Sequence, residues 1–314
     1  MQSRPSLTEI LGVSPWRDRL REARLALRGD SHTPPSRFDL TSLQILQPAL
    51  SFQLWRGHRP YGRLVPLYNL FNRSPTPEAD GWSVRKRQVT DFRGGTLTYD
   101  SHNGTDFATP PGTIVVAPAA GRVAKVISEF NRGGLKVMID HGDGLCTTAG
   151  HLARSLVEVG AEVARGEPIA MSGASGLNFL GSLLADPPHV HFNVWLDGVP
   201  IDPFARTGEV PIWLAGNTPA PNDELFDDGA PWSDFDDDKV EAWIDACTDA
   251  ALAVRLTAIS DPWLRACETI FAANYYPTRF GRRVNPYATA HPRLPRLDLP
   301  FAAADYDGVV FPDA

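Results

Sequence analysis

Five side chains that can bind a metal ion lie within about 90 residues of one another in this sequence. They form a His-x-x-x-Asp motif, a single histidine and a His-x-His motif: His102, Asp106, His151, His189 and His191. The first and last motifs can supply three ligands to one zinc ion, which leaves two imidazoles for proton transfer. This is the smallest set of groups that a hydrolase using metal-activated water requires.

The sequence around these residues indicates how they converge. Gly104 and the neighbouring β-rich sequence argue against a helix through the first motif, so we expect a strand end and a turn there. In the His-x-His motif, the two-residue period of a β-strand places His189 and His191 on the same face. Neither motif is specific alone, because histidines on strands usually pack or form hydrogen bonds. The prediction depends on all five residues occurring in this order.

Three kinds of sequence follow one another along the chain and predict its organisation. Residues 91–205 contain short β-rich runs separated by Gly and Pro, which favours an all-β sandwich or barrel. Residues 1–90 form an N-terminal region that is partly helical, and residues 206–314 form a C-terminal helical extension. We therefore predict a mainly β catalytic domain with α-helical N- and C-terminal flanking regions.

Apolar residues at helical spacing predict where helices lie in the two flanks. Over residues 16–27, charged residues alternate with Leu and Ala, which is typical of an amphipathic helix that covers a core. Helical spacing over 240–254 predicts one helix, and an N-cap followed by proline predicts a second helix over about 260–273. The acidic stretch 223–238 lacks the pattern of a calcium loop, so we interpret it as a solvated linker.

Composition narrows the classes of function. The chain has 314 residues and a formal net charge of −7, which argues against a nucleic-acid partner because phosphates call for a basic face. The sequence has no apolar run long enough for a membrane span, and its N-terminus shows no secretory signal. Three cysteines are too few for a disulfide framework. Cys247 and Cys267 could pair if their helices adjoin, but buried free thiols are the more frequent outcome.

Further motifs surround the five residues in a fixed order. They are H-x-G-x-D at 102–106, A-P-x-x-G-x-V at 117–123, H-x-x-G at 141–144, T-x-x-x-H-L at 147–152, V-x-x-G-x-x-V-x-x-G-x-x-I at 157–169, G-x-x-G at 173–176 and H-x-H-F at 189–192. This series resembles the M23 family of zinc metallopeptidases, the lysostaphin- and LytM-like enzymes that cut peptide bonds in bacterial peptidoglycan. The resemblance covers about residues 95–204, a third of the chain.

The resemblance implies a role for each of the five residues. His102, Asp106 and His191 would hold one zinc ion per chain. His151 and His189 would be the catalytic pair, acting as general base on the water and stabilising the oxyanion that forms. It also implies an antiparallel β-sandwich or half-barrel of the LytM type, a peptidoglycan peptide as substrate, and a location in the cell envelope or outside the cell.

Two departures from the family pattern affect the substrate but remove no ligand. The family often has Tyr two residues before the catalytic histidine, whereas this sequence has Ala149. The connection 177–188, between G-x-x-G and H-x-H, is longer than usual and apolar, so we expect it to reshape one wall of the groove. Two alternatives to a peptidoglycan endopeptidase therefore stay open: a catalytically silent binding or regulatory module of the same fold, and a zinc peptidase with a different substrate.

Overall fold

A sheet of eleven strands organises the protein. The computed structural model describes residues 3–74, 76–177, 185–222, 229 and 232–313. The strands are β1 (Leu64–Asn69), β2 (Thr105–Ala108), β3 (Ile114–Val116), β4 (Gly121–Glu129), β5 (Gly134–Asp140), β6 (Leu145–Ser155), β7 (Glu162–Val163), β8 (Pro168–Ser172), β9 (His189–Leu196), β10 (Val199–Ile201) and β11 (Gly308–Val310). The main path through the sheet runs β11-β1-β2-β9-β6-β5-β4-β7, β10 adds to β9, and β8 pairs with both β3 and β6.

The sheet confirms the predicted fold class. Every pairing between these strands is antiparallel except that of β1 with β11. The turn between β9 and β10 is a tight hairpin, in which Leu196 pairs with Val199. Asp197 and Gly198 take positive φ angles of 51° and 77° there, as an Asp-Gly hairpin turn favours.

The helices lie in the flanking regions, as expected. Among the described residues they are α1 (Leu7–Leu11), α2 (Trp16–Arg28), α3 (Pro48–Trp55), α4 (Asp237–Asp245), α5 (Ala250–Thr257) and α6 (Pro262–Tyr275), with 3-10 turns at Leu40–Ile45, Glu78–Asp80 and Pro277–Arg279. The amphipathic helix predicted over 16–27 is α2. None of the described helices is long and apolar enough to span a membrane.

The single helix predicted over 240–254 is wrong, because the chain breaks between α4 and α5. The Asp249 side chain accepts hydrogen bonds from the backbone amides of Ala251 and Leu252, both at 3.1 Å, and so caps a new helix. Helical spacing of apolar residues continues across the break, which is why the pattern alone does not reveal it. The cysteines are all free, and Cys267 is buried in α6.

The two faces of the sheet carry two different cores. One core lies among strand residues such as Phe107, Val123 and Phe192 together with Leu299 from near the C-terminus. The other core packs Trp195 and neighbouring strand residues against the C-terminal helices. Each face therefore buries apolar surface, which contributes about 25 cal/mol for each Å² removed from water.

Asp140, the last residue of β5, forms hydrogen bonds with the C-terminal region. Its carboxylate accepts hydrogen bonds from the Ser233 hydroxyl at 2.7 Å and from Trp263 Nε1 at 2.8 Å. Burial raises the pKa of Asp140, although the hydrogen bonds it accepts oppose that change. The C-terminal region thus contributes polar as well as apolar contacts to the sheet.

Candidate metal centre

Three neighbouring strands bring the sequence-predicted residues together. In the pairing of β2 with β9, Asp106 lies opposite His191 and Ala108 lies opposite His189. On the other side of β9, Gly150 of β6 lies opposite His191, so the next residue, His151, is at the same level of the sheet. His102 precedes β2 by three residues, at the strand end and turn that the sequence predicts.

Three donor atoms of His102, Asp106 and His191 form a compact cluster. His191 Nδ1 lies 2.7 Å and His102 Nε2 lies 3.1 Å from Asp106 Oδ1, and the two ring nitrogens are 3.2 Å apart. The three residues are only 1%, 2% and 6% exposed, respectively. Ligands about 2.1 Å from a tetrahedral zinc ion lie about 3.4 Å from one another, slightly more than these separations. The donor set therefore fits a small divalent metal ion.

Groups behind the cluster fix the orientation of two of these side chains. His102 Nδ1 donates to the Leu70 carbonyl at 2.6 Å, so Nε2 presents its lone pair to the cluster. Asn69 Nδ2 donates to Asp106 Oδ2 at 2.9 Å, which leaves Oδ1 facing the two histidines. Such outer hydrogen bonds set the tautomer and the ring orientation of metal ligands. Sequence reasoning missed Asn69 and Leu70, because no motif marks them.

Burial and charge shift the pKa values of the cluster in the direction that metal binding requires. Burial alone would raise the pKa of Asp106, but His102, His189 and His191 hold it well below its usual range. Burial lowers the pKa of His191, which favours the neutral ring. An ionised carboxylate and neutral imidazoles are the forms that bind a metal ion.

His151 and His189 stand beside the cluster as a pair. Their ring centroids are 4.9 Å apart, and each Nδ1 donates to a backbone carbonyl at 2.8 Å: His151 to Ser175 and His189 to Pro187. Burial lowers the pKa of His151 well below its usual value, helped by His189 and His191. His189 Nε2 lies 3.7 Å from Asp106 Oδ2, which places it next to the cluster.

A cavity of about 450 Å³ opens against the cluster and the histidine pair. Asp106, His151, His189 and His191 line one side of it. The N-terminal region supplies an opposite, mostly apolar wall, formed by Leu27, Phe38, Leu43, Ile45, Leu46, Trp82 and Val84. The flanking region thus shapes the space in front of the candidate centre.

Two tyrosines near the centre were not found from the sequence. Tyr68 of β1 lies with its ring centroid 5.3 Å from that of His189, and its hydroxyl is 2.6 Å from Asp186 Oδ1. Tyr99 lies 4.6 Å from the His102 ring. Burial raises the pKa of Asp186 to about 6. Tyr68 and Tyr99 therefore bring phenol rings to the cavity wall. Ala149, which stands on β6 where the family often has tyrosine, is buried in the core instead.

Two further histidines lie outside the donor cluster, and the apolar connection is described only in part. His141, the first residue of the H-x-x-G motif, is buried and contacts the Ala120 carbonyl at 2.9 Å and the Thr147 hydroxyl at 2.8 Å. His291 bonds to Asp197 at 2.7 Å, away from the cluster. Residues 178–184 of the apolar connection lie outside the described residues, so the expected effect on the groove wall stays a prediction.

The sheet and the donor cluster define a mainly antiparallel β domain with a candidate metal site. Residues 100–203 match the sequence model of peptidase family M23. This match covers about a third of the chain and confirms the resemblance that the order of its motifs indicates.

Several curated proteins are similar to this chain over parts of their length. An uncharacterized metalloprotease of Haemophilus influenzae is 37% identical over 119 residues, which are 38% of this chain and 23% of that protein. The peptidoglycan DD-endopeptidase ShyB of Vibrio cholerae is 31% identical over 190 residues, 59% of this chain and 41% of that protein. The murein hydrolase activator EnvC of Escherichia coli is 42% identical over 66 residues, 21% of this chain and 15% of that protein. The chain spans less than half of the length of each of these relatives.

Proposed function

We propose that this protein is a zinc-dependent endopeptidase that hydrolyses peptide bonds of bacterial peptidoglycan. The observation that carries the proposal is the donor cluster of His102, Asp106 and His191, with His151 and His189 facing the same cavity. A cluster of ligands beside two further imidazoles combines a place for a metal ion with groups that can transfer protons.

Zinc is the metal that suits this site best. Two imidazoles and one carboxylate are typical ligands of catalytic zinc, which keeps a further coordination position open. When bound, zinc would lower the pKa of a water molecule and polarise the carbonyl of the scissile bond. The ligand side chains would bind the ion in their deprotonated forms. The hydrogen bonds from His102 to Leu70 and from Asn69 to Asp106 hold two of them in the required orientation.

His151 and His189 would handle the protons of the reaction. His151 enters it neutral because burial lowers its pKa, and its Nδ1 proton is held by the Ser175 carbonyl. Its Nε2 is then the atom that can accept a proton from the attacking water. His189, whose ring centroid lies 4.9 Å from that of His151, would stabilise the negative charge on the carbonyl oxygen in its protonated form, because its Nδ1 proton is donated to Pro187 and only a protonated ring also offers Nε2–H.

The proposed substrate is supported by the relatives rather than by the cavity. ShyB is named a peptidoglycan DD-endopeptidase, and its similarity extends over 59% of this chain. EnvC is named an activator, which keeps the catalytically silent module as the second candidate. All five metal and proton-transfer residues are present in this chain, and this favours turnover over a silent role.

Release of dye from labelled peptidoglycan tests the proposal. We expect the protein with one zinc per chain to release dye, and we expect chelation or His189→Ala to abolish that release. His58→Ala is the matched control, because this histidine is exposed and outside the cluster. Binding to peptidoglycan without release would identify the silent module, and cleavage of other peptides without action on peptidoglycan would identify a different substrate.

Replacing Asn69 with alanine is expected to weaken zinc binding by roughly 10- to 100-fold. The substitution removes the hydrogen bond to Asp106 Oδ2, so the carboxylate is free to rotate away from the two histidines. Titration against a competing chelator measures the change. Asn193→Ala is the control, because that amide is also buried but bonds to Asn103. Equal zinc affinity in Asn69→Ala and the unmodified protein would contradict an orienting role for Asn69.

A further inference from the structure

Arg132 is a partly buried cation that has no anionic partner among the described residues. It lies in the tight turn between β4 and β5. Within the described part of the chain its guanidinium takes part in no hydrogen bond or salt bridge, and its Nε is buried with no acceptor. Burial lowers the pKa of Arg132 to about 10, so the group is still charged at neutral pH. A partly buried guanidinium with a buried, unpaired Nε loses hydration, and an anionic ligand would offset that loss.

Carboxylates near Arg132 are engaged by other donors. Glu129, three residues earlier, lies 2.9 Å from Lys136 Nζ and 3.1 Å from the Tyr276 hydroxyl. Arg132 also lines a second cavity of about 420 Å³, whose wall includes Glu78. Glu78 bonds to Arg283 at 2.8 Å. Within the described ranges, the Arg132 guanidinium therefore has no ion pair that would explain it as a structural residue.

The turn that carries Arg132 is joined directly to the catalytic pair. The backbone amide of His151 donates to the carbonyl of Gly133, the next residue, at 2.7 Å. Arg132, His151 and His189 line the same cavity, and the Arg132 guanidinium carbon lies 5.2 Å from the centre of the Trp82 ring. Arg132 thus belongs to the wall of the cavity onto which the catalytic pair also opens.

Asn131 adds a second unused polar group at the same point. Its side chain is 2% exposed and lines the cavity, yet neither Oδ1 nor Nδ2 has a hydrogen-bond partner among the residues that the structure describes. Buried polar side chains nearly always have partners, so an unpaired amide next to an unpaired guanidinium indicates a missing ligand. Arg132 also holds a φ of 63°, a left-handed conformation that few residues other than glycine adopt. Strain of this kind is concentrated at functional sites.

We propose that Arg132, assisted by Asn131, binds a carboxylate of the peptide substrate next to the bond that is cut. The planar guanidinium matches a carboxylate with two parallel hydrogen bonds. Peptidoglycan stem peptides carry free carboxylates, so the inference rests on the proposed function and narrows its substrate class. Arg132 determines specificity here, and the proton transfers remain with the histidines.

Binding of two matched peptides tests this inference without using turnover. The two peptides are cross-linked stem-peptide dimers that differ only in having free carboxylates or carboxamides. Calorimetry with the zinc-loaded His189→Ala variant gives both affinities. We expect the carboxylate dimer to bind roughly 10- to 100-fold more tightly, as one charged hydrogen-bonded pair implies. Adding Arg132→Gln is expected to remove that preference and to leave the affinity for the carboxamide dimer unchanged.

Control variants separate recognition from folding. Arg122→Gln removes a charge from β4, where Arg122 lies over the Trp263 ring at 4.0 Å and outside the cavity, so it should keep the preference. Arg132→Gly relieves the left-handed backbone and should lose the preference with a melting temperature no lower than that of the parent. A preference that survives both Arg132 substitutions, or the absence of a preference in the parent, would overturn the inference. Failure of the proposed function would appear separately, as absent dye release by the unmodified protein.

Discussion

Replacing His191 with alanine is expected to abolish zinc binding and to reduce peptidoglycan hydrolysis by at least about 1,000-fold. The substitution removes one of the three proposed ligands. His191 Nδ1 lies 2.7 Å from Asp106 Oδ1 and 3.2 Å from His102 Nε2. Only two protein ligands would remain, fewer than catalytic zinc sites use. Metal analysis after dialysis gives the zinc content, and dye release gives the activity.

Thermal unfolding supplies an independent measure of the same change. A metal ion that binds only the folded state stabilises it, so chelation should lower the melting temperature of the unmodified protein. It should have no such effect on His191→Ala, which has no zinc to lose. His141→Ala is the control, because it removes another buried histidine of this sheet yet should retain one zinc per chain. One zinc per chain in His191→Ala would place the metal elsewhere and end the present assignment.

The donor cluster could be predicted from the sequence because the spacing of its motifs is local. A His-x-His motif on a strand needs only the two-residue period of β structure to put both rings on one face. A turn beginning at His102 needs only Gly104 and the strand that follows. The two motifs meet through one contact between distant parts of the chain: β2 pairs with β9 and so sets Asp106 opposite His191. The order of the family motifs made that pairing predictable too.

The surroundings of the ligands could not be predicted, because they come from distant parts of the chain. Asn69 reaches Asp106 only because β1 pairs with β2 in one particular register. The apolar wall of the cavity arises from N-terminal segments that carry no recognisable motif. From the sequence, Arg132 cannot be distinguished from a surface arginine of a hairpin turn. Only the tertiary structure shows that it lines the cavity and has no anionic partner among the described residues. Such features depend on tertiary packing, whereas the motifs depend on sequence neighbours.

Because the proposed zinc ligands are separate from the histidines proposed for proton transfer, replacing His151 should affect turnover but not zinc binding. We expect His151→Ala to keep one zinc per chain and to lose about 100- to 10,000-fold in turnover, the usual contribution of a general base. His151 is not one of the three clustered donors, and its Nδ1 bonds to Ser175. Zinc analysis and dye release on the same preparation separate the two properties.

A backbone effect could mimic the loss of a base, so the choice of substitution matters. His151 has a φ of 57°, a conformation that alanine adopts with strain and asparagine tolerates. His151→Asn should therefore preserve the turn contact to Gly133, and any loss of turnover in this variant comes from the missing imidazole Nε2. Because asparagine cannot accept and release a proton near neutral pH, we expect both variants to be equally inactive. Retained turnover in His151→Asn would assign the base to another group, and loss of zinc in either variant would make His151 a ligand.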